Sequence, residues 1–419
     1  MAHFLLIEVP GGNDFDILEA AVSLGHDITF FTTDILLYKK NGTFDKYLIL
    51  VKRIIEIKPF DYDEVEKKAL EIHHQNPFDA ILCLIDIRII ETAKLAERLG
   101  LCFLNVESAQ NLRDKFTVRT ILERQKIKQP EFRLALNNEQ LRDAVETLGF
   151  PVIVKPSDGY GSQNIMKFLT PNDLNPLIDP LDNYLPCKTD YGFNVQANDR
   201  LLVERFVEGQ LIGCDTFTQN GQHIMLGINE KTMFPEPSAA IKGSCFPVTR
   251  YDVKEIQNYV FSVLDALNFD YGAAHVELIV SSQDIQLVEI NPRLVGAKIP
   301  RLLNVAFQLS IHQYLIDLHL RKTLTPLFSV TNRFAVSRWI VSYVPGILKS
   351  ITLPDMNPNI AYVEILKKEG DFVSYPYQNA DRIGYVMTFG DSQRQAEEFA
   401  DLYISQVKLN VIPAEVMYQ

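Results

Sequence analysis

The segment His275–Arg293, HVELIVSSQDIQLVEINPR, constrains the fold more than any other stretch. Val276–Val280 and Ile285–Ile290 are apolar and β-branched with polar Ser281–Asp284 between them, a pattern that predicts a β-hairpin. Residues two apart on a strand share a face, which groups His275 with Glu277, and Glu289 with Asn291 and Arg293. A turn of three residues (Ser282–Asp284) or of five sets Glu277 against Glu289 on one face. Like charges directly opposite destabilise a sheet, and close carboxylates resist joint ionisation. A hard divalent cation removes the conflict, since Mg²⁺ takes one or two carboxylates and leaves room for phosphate oxygens. Asn291 offers that cation an amide oxygen, and Arg293 offers a fork for phosphate or carboxylate. The plain alternative is an exposed hairpin with incidental acids.

Upstream, strands alternate with helices. Residues 3–9, 27–31 and 80–84 read as strands, with short strands expected at 47–49 and 53–57 and a closing one at 101–104. Residues 14–24, 62–75 and 88–99 read as helices. This alternation predicts an α/β domain over 1–106 with a doubly wound, parallel, Rossmann-like sheet. Gly11-Gly12 after the first strand and Asp34 after the second invite a dinucleotide site, but the GxGxxG spacing is absent. Ser108 is expected to cap a helix running to about Gln125, residues 230–248 read as a long loop, and 300–320 as one apolar helix. From about 325 the pattern becomes short strands (333–343, 361–366, 371–375, 382–388) and a helix at 393–407 capped by Ser392, an α+β arrangement.

The net charge of −12 argues against nonspecific nucleic-acid binding. The cysteines 83, 102, 187, 214 and 245 are scattered and form neither a disulfide framework nor a zinc site; Cys83 and Cys102 read as buried thiols. His73-His74 has no flanking ligands and reads as a solvated helix face. The chain starts directly on a strand-like FLLIEV, and no apolar run approaches the roughly 20 residues that span a bilayer, so a cytoplasmic protein without membrane partners is expected.

Two more segments carry chemistry. Lys155 ends the apolar strand PVIVK and abuts PSDGYGSQN, where Gly159 and Gly161 permit close backbone approach to an anion and Ser162 adds a hydroxyl. The loop is not a Walker motif, and a plain surface loop is the competing reading. LLVERFVEG leads a strand into Glu204, where a turning backbone can meet a base edge.

In this order, RDKFTVRTIL (113–122), VIVKPSDGYGS (152–162), LVERFVEG (202–209), GAAHVEL (272–278) and VEINPRLVGAKIP (288–300) resemble the ATP-grasp superfamily. Within it the resemblance is to carboxylate–amine ligases, in particular dipeptide-forming L-amino-acid ligases. It implies an ATP-grasp domain over 107–322, with a small nucleotide-clamping subdomain at about 130–207, and a C-terminal α+β domain at 323–419 that completes the core. The roles implied are ATP-phosphate contacts from Lys115 and Lys155, a loop Gly159–Gly161–Ser162 closing over them, and adenine recognition by the backbone of Glu204 and Val207. Glu277, Glu289 and Asn291 would bind two Mg²⁺ ions, with Mn²⁺ an acceptable substitute; Lys231 would approach the phosphates across the cleft. Arg293 would be catalytic with Lys155, steadying an acyl-phosphate. His275 is expected either to orient a ligand or to be a satisfied core histidine.

The implied activity is ADP-forming amide synthesis from a small-molecule carboxylate and an amine, often two amino acids, by a chain that relatives suggest as a homodimer. The alternatives are a purine-pathway or carboxylase-like ligase, or an ATP-binding regulatory protein without turnover. Two departures from the family pattern stand out. Leu211 occupies the place of the acid that holds the ribose, for which Glu208 or Asp215 are stand-ins, and IKGSCFP has Ile241 and Ser244 where E-x-G-H is common. Asp86 and Arg88, just beyond a strand, are candidates for substrate specificity.

Overall fold

Four short apolar runs of the N-terminal domain pair in parallel, in the order Arg53–Glu56, Asp27–Thr32, His3–Ile7, Ala80–Cys83. The inner strand His3–Ile7 is buried along its whole length, as a strand covered by helices on both faces must be, whereas the edge Arg53–Glu56 is largely exposed. The computed structural model describes residues 1–9, 15–39, 47–159, 165–173, 200–235, 240–281, 284–324 and 332–414. Helix Tyr62–Gln75 starts where Asp61 accepts the Asp63 and Glu64 N–H groups, and helix Ile89–Leu99 stops at left-handed Gly100. The strands expected at 47–49 and 101–104 do not form. Residues 47–51 close a turn through Leu50 N–H to Tyr47 and Val51 N–H to Leu48, with Tyr47 stacked on Phe15. In 101–104 the backbone is drawn to other partners: Leu101 bonds back to Ala96, and the Cys102 carbonyl meets His319. Cys83 is buried, with its thiol pushed up to about 12 by that burial; Cys102 is only half-buried.

The helix expected from Ser108 to Gln125 is two helices, Val106–Arg113 and Lys115–Arg124. Asn105, not Ser108, caps the first; the Ser108 hydroxyl donates to the Leu267 carbonyl. Asp114 breaks the run and caps the second helix by accepting from Thr117 N–H, which aims Lys115 into the cleft. A small antiparallel sheet follows, ordered Phe132–Ala135, Leu201–Arg205, Val152–Pro156, Met166–Phe168, with helix Asn138–Leu148 burying Leu141, Val145 and Leu148 against it.

The body of the molecule is an eight-stranded sheet in the order Ile285–Asn291, Tyr271–Val280, Gln210–Gln219, Gln222–Met233, Ile241–Phe246, Phe334–Ile340, Gly384–Gly390, Ile360–Ile365. Of the long loop expected over 230–248, residues 230–233 and Ile241–Phe246 are instead strand, paired as the arms of a hairpin in which Lys231 faces Ser244 and a bulge follows Thr232. The C-terminal strands do not stand apart either, because Phe334–Ile340 pairs with Ile241–Phe246 and continues the same sheet. Gly346–Thr352, Phe372–Val373 and Lys408–Pro413 form a separate three-stranded sheet. The apolar helix over 300–320 is split into Ile299–Phe307 and Ile311–His319, because Gln308 turns left-handed and Ser310 caps the second by accepting from Gln313 N–H. Helix Gln393–Gln406 begins at Ser392, as its capping pattern indicated. Among the described residues, no helix is long and apolar enough to cross a membrane.

Candidate functional site

Val288 sets the geometry of the site. The strands pair Val280 with Ile285 and Leu278 with Leu287, then Glu277 with Glu289, so Val288 is the extra residue of a β-bulge. The connection 281–284 is four residues long, neither of the expected lengths, and without the bulge it would set Glu277 against Val288. The bulge restores the pairing of the acids. It also leaves carbonyls for cations: Arg119 Nη2 donates to Leu287 at 2.7 Å and to Val288 at 3.1 Å, and Lys155 Nζ lies 3.4 Å from the Val288 oxygen.

Each acid of the pair meets a lysine. Lys231 Nζ is 2.5 Å from Glu277, and Lys115 Nζ is 3.5 Å from Glu289. Lys115 also donates to the Gly159 carbonyl at 2.7 Å, which ties the glycine loop to the acid pair. A Cβ on Gly159 would stand 3.1 Å from the Pro156 carbonyl, a tight contact that a larger residue would meet only by a small shift of the loop. Gly161 and Ser162, the other loop residues expected at the phosphates, lie outside the described residues. His275 is no idle core histidine: its Nε2 is 3.3 Å from Glu277 and its Nδ1 is 3.0 Å from Asp215, which also accepts from Asn229. Burial would lower the imidazole, but Asp215 and Glu277 carry it up to about 9; burial would raise Glu277, but Lys231 and His275 hold it well below the usual carboxylate range. Asp215 is thereby buried and committed, which removes it as a stand-in for the ribose acid missing at Leu211.

Glu277 and Glu289 keep 18% and 27% of their side chains exposed, so the pair borders the cleft. Asn291 donates from Nδ2 to Glu289 at 3.0 Å, and its Oδ1 has no donor among the described residues. No group of three His, Cys, Asp or Glu side chains converges as metal ligands among those residues. Two acids and one amide oxygen are nonetheless a hard donor set, of the size Mg²⁺ accepts when substrate phosphates complete its shell.

Beneath this pair lies a buried polar cluster. Glu204 accepts from Arg119 Nε at 2.6 Å and pairs with Lys155 at 2.7 Å. Burial would raise the Glu204 carboxyl, but the Arg119 and Lys155 charges outweigh it and take it down to about 2; burial in turn lowers Lys155. Glu204 sits in the small sheet opposite both Phe132 and Ile153, so its carboxylate orders two cations as its backbone holds two neighbouring strands. Val207 lies half-buried just past that strand. Arg119 was missed as a site residue. The available signal was its i,i+4 spacing from Lys115, which puts both cations on one helix face.

Arg293 closes the site from the other end. Its Nε and Nη2 donate to Asp86 Oδ2 at 2.7 and 2.6 Å, and its Nη1 to the Leu294 carbonyl at 3.0 Å. Asp86 belongs to the N-terminal domain, so that domain fixes the guanidinium. Arg88 is buried, with its guanidinium 3.6 Å over the Phe60 ring and Nη2 donating to the Thr33 hydroxyl at 3.4 Å.

Three family matches follow the chain. Residues 18–103 match the ATP-grasp N-terminal domain, 148–300 the ATP-grasp domain, and 338–411 the L-amino acid ligase C-terminal domain 2. An L-arginine-specific L-amino acid ligase of Bacillus subtilis is 25% identical over 332 residues, 75% of each chain. A carbamoyl phosphate synthase large chain of Caldanaerobacter subterraneus is 26% identical over 46% of this chain and 17% of its own. An L-amino acid ligase from Bacillus licheniformis superimposes with a TM-score of 0.79 at 20% identity, over 98% of this chain and 99% of that one. Phosphoribosylglycinamide synthetase from Anaerococcus prevotii gives 0.74 at 20% identity, over 98% and 100%.

Proposed function

Because the chain is an ATP-grasp ligase, ATP-grasp in its N-terminal domain and core and of the L-amino acid ligase type in its C-terminal segment, we propose that it joins an amino acid carboxylate to an amine through an acyl-phosphate, releasing ADP and phosphate. The observation that carries the reading is the Glu277–Glu289 pair set between Lys115 and Lys231, with Arg293 beyond it. ATP-grasp enzymes use ATP and Mg²⁺; Glu277, Glu289 and Asn291 would hold the metal, which when bound neutralises charge on the transferring phosphoryl group. Lys115 and Lys155 face the phosphates, and the Gly159 loop lies over them. Val207 offers its backbone to adenine. The carboxylate oxygen of the substrate takes the γ-phosphoryl group, the amine attacks the resulting acyl carbon, and the C–O bond to phosphate breaks. Arg293, held in place by Asp86, donates to the oxyanion that forms between those events.

Arg293→Ala is expected to lower kcat roughly 10²–10³-fold, the cost of one oxyanion donor, and to leave ATP affinity unchanged. Steady-state ADP release alongside nucleotide binding checks this; collapse of ATP affinity in a folded variant would refute the role. The defining experiment is ADP and phosphate release with Mg-ATP over the standard amino acids, singly and in pairs. Release that depends on one amino acid or one pair supports the reading. Release only with bicarbonate or a phosphorylated carboxylate moves the chain to carboxylase-like or purine-type chemistry, and ATP binding without release under any condition leaves a regulatory protein.

A further inference from the structure

A cavity of about 500 Å³ lies away from the acid pair. The end of strand Phe334–Ile340 and its continuation to Val344 form one wall, helix Gln393–Gln406 and strand Lys408–Pro413 another; Phe234 and Lys242 reach it from the two arms of the hairpin that carries Lys231. The cavity lies at the strand ends and reaches both faces of the sheet, since Trp339 shares a face with Ser337 and Arg338 takes the other. Lys231 faces Ser244, and Ser244 faces Ser337, so these three share the side on which Lys231 meets Glu277. Arg338 alternates to the opposite side, where it donates to Asp401 at 2.9 Å, and the cavity runs along Arg338 and Asp401.

The lining is largely apolar and carries three charged residues. Ile404, Val407, Leu409 and Val411 pack on a small core of Ile340, Leu348, Val373 and Ile383, yet stay only half-buried because they border the cavity. Trp339 adds an indole, fixed by the Arg382 guanidinium 4.1 Å from its ring and by Tyr385 edge-on at 5.3 Å. Of the three charged residues in the wall, Arg338 pairs with Asp401 at 2.9 Å and with Glu397 at 3.6 Å. Lys242 makes no ion pair or hydrogen bond among the described residues. Lys242 is half-buried, in a wall that is mostly aliphatic and aromatic.

We propose that this cavity is a second ligand site, which binds a small amphipathic carboxylate with its apolar body against Trp339 and the aliphatic wall and its carboxylate on Lys242. The volume falls in the range of roughly 300–1,000 Å³ typical of small-molecule pockets. With Arg338 committed to Asp401 and Glu397, Lys242 is the cation left to favour a monoanion over a neutral or cationic molecule of the same shape, since an amine would set a further positive charge beside it. The inference rests on residues of the C-terminal region and of the hairpin that carries Lys231, and stands whether or not the ligase reading holds.

The chain has one tryptophan, Trp339, so its fluorescence reports this cavity directly. The experiment titrates the full-length protein, without nucleotide, with 3-phenylpropionate, and separately with 3-phenylpropanol and 3-phenylpropylamine, which keep the apolar body. The expected result is a saturable change with the carboxylate, with affinity reduced roughly tenfold or more in Lys242→Gln and largely kept in Lys242→Arg, as for loss of a charge-assisted contact. Val411→Phe, which fills the cavity without touching Lys242, should also weaken the response. Equal binding of the three probes, no saturable response, or unchanged affinity in Lys242→Gln would overturn the proposal. A Trp339 signal that changes with protein concentration alone, together with reversible self-association, would assign the surface to a second copy of the chain and overturn it as well.

Discussion

Replacing Glu289 with alanine is expected to reduce ADP release by roughly three orders of magnitude while the chain stays folded. A metal ligand supplies several kcal/mol of transition-state charge stabilisation, and each 1.36 kcal/mol is about tenfold in rate. The fold should tolerate the change because Glu289 borders the cleft and its partners, Lys115 at 3.5 Å and Asn291 at 3.0 Å, are themselves half-buried groups that water can reach. Partly exposed pairs of this kind contribute about 0–1 kcal/mol, and removal of one acid also relieves the repulsion across the hairpin. Glu277→Ala is a poorer test, since Lys231 and His275 both rest on that carboxylate and His275 is buried. A thermal melt within a few degrees of the parent, with ADP release measured over a range of Mg²⁺ and Mn²⁺, checks the outcome. Parent-like turnover in a folded Glu289→Ala would remove the metal assignment.

What could be read in advance and what could not follows the range of the interactions. The hairpin was legible because strand alternation and β-branching are local, and these alone place the two acids on one face. Its register was reached by another route, because a bulge at Val288 is an outcome of pairing and leaves no mark on the residue's identity. The parallel sheet of the first domain was legible from its apolar runs. The segments 47–49 and 101–104 have the composition of strands, but their backbones were taken by turn bonds and by His319. In the same way IKGSCFP looked like a loop and is a strand, since Gly243 and Ser244 have low strand propensity but find partners in Thr232, Lys231, Arg338 and Ser337. The cluster of Arg119, Lys155 and Glu204 was legible only in part. Lys155 and Glu204 stood out at strand ends, the lysine beside a glycine loop, whereas Arg119 meets Glu204 across 85 residues of chain.

That cluster makes the largest stability prediction. Arg119→Ala is expected to destabilise the protein by about 3 kcal/mol, the low end of the cost of breaking a buried ion pair. Arg119 is 2% exposed, and its removal leaves Glu204 with Lys155 as its ionic partner among the described residues and takes a donor from the bulge carbonyls at Leu287 and Val288. The low end applies because Arg119 Nη1 is already buried without an acceptor, so the substitution also removes one unsatisfied group. Urea unfolding near neutral pH measures the loss. Its acid dependence supplies an independent sign. The Glu204 carboxyl falls from about 4.5 in the unfolded chain to about 2 in the folded one. Its contribution is therefore present above about pH 4.5 and is lost as pH falls through about 2. Without Arg119 the folded value must rise toward the unfolded one, so the gap between parent and variant should narrow on acidification. A gap that stays constant from neutral pH down to about pH 3 would mean that Arg119 acts through packing and not through the Glu204 charge, and the cluster would then be a hydrogen-bonded brace for the bulge instead of an ion-paired floor for the nucleotide site.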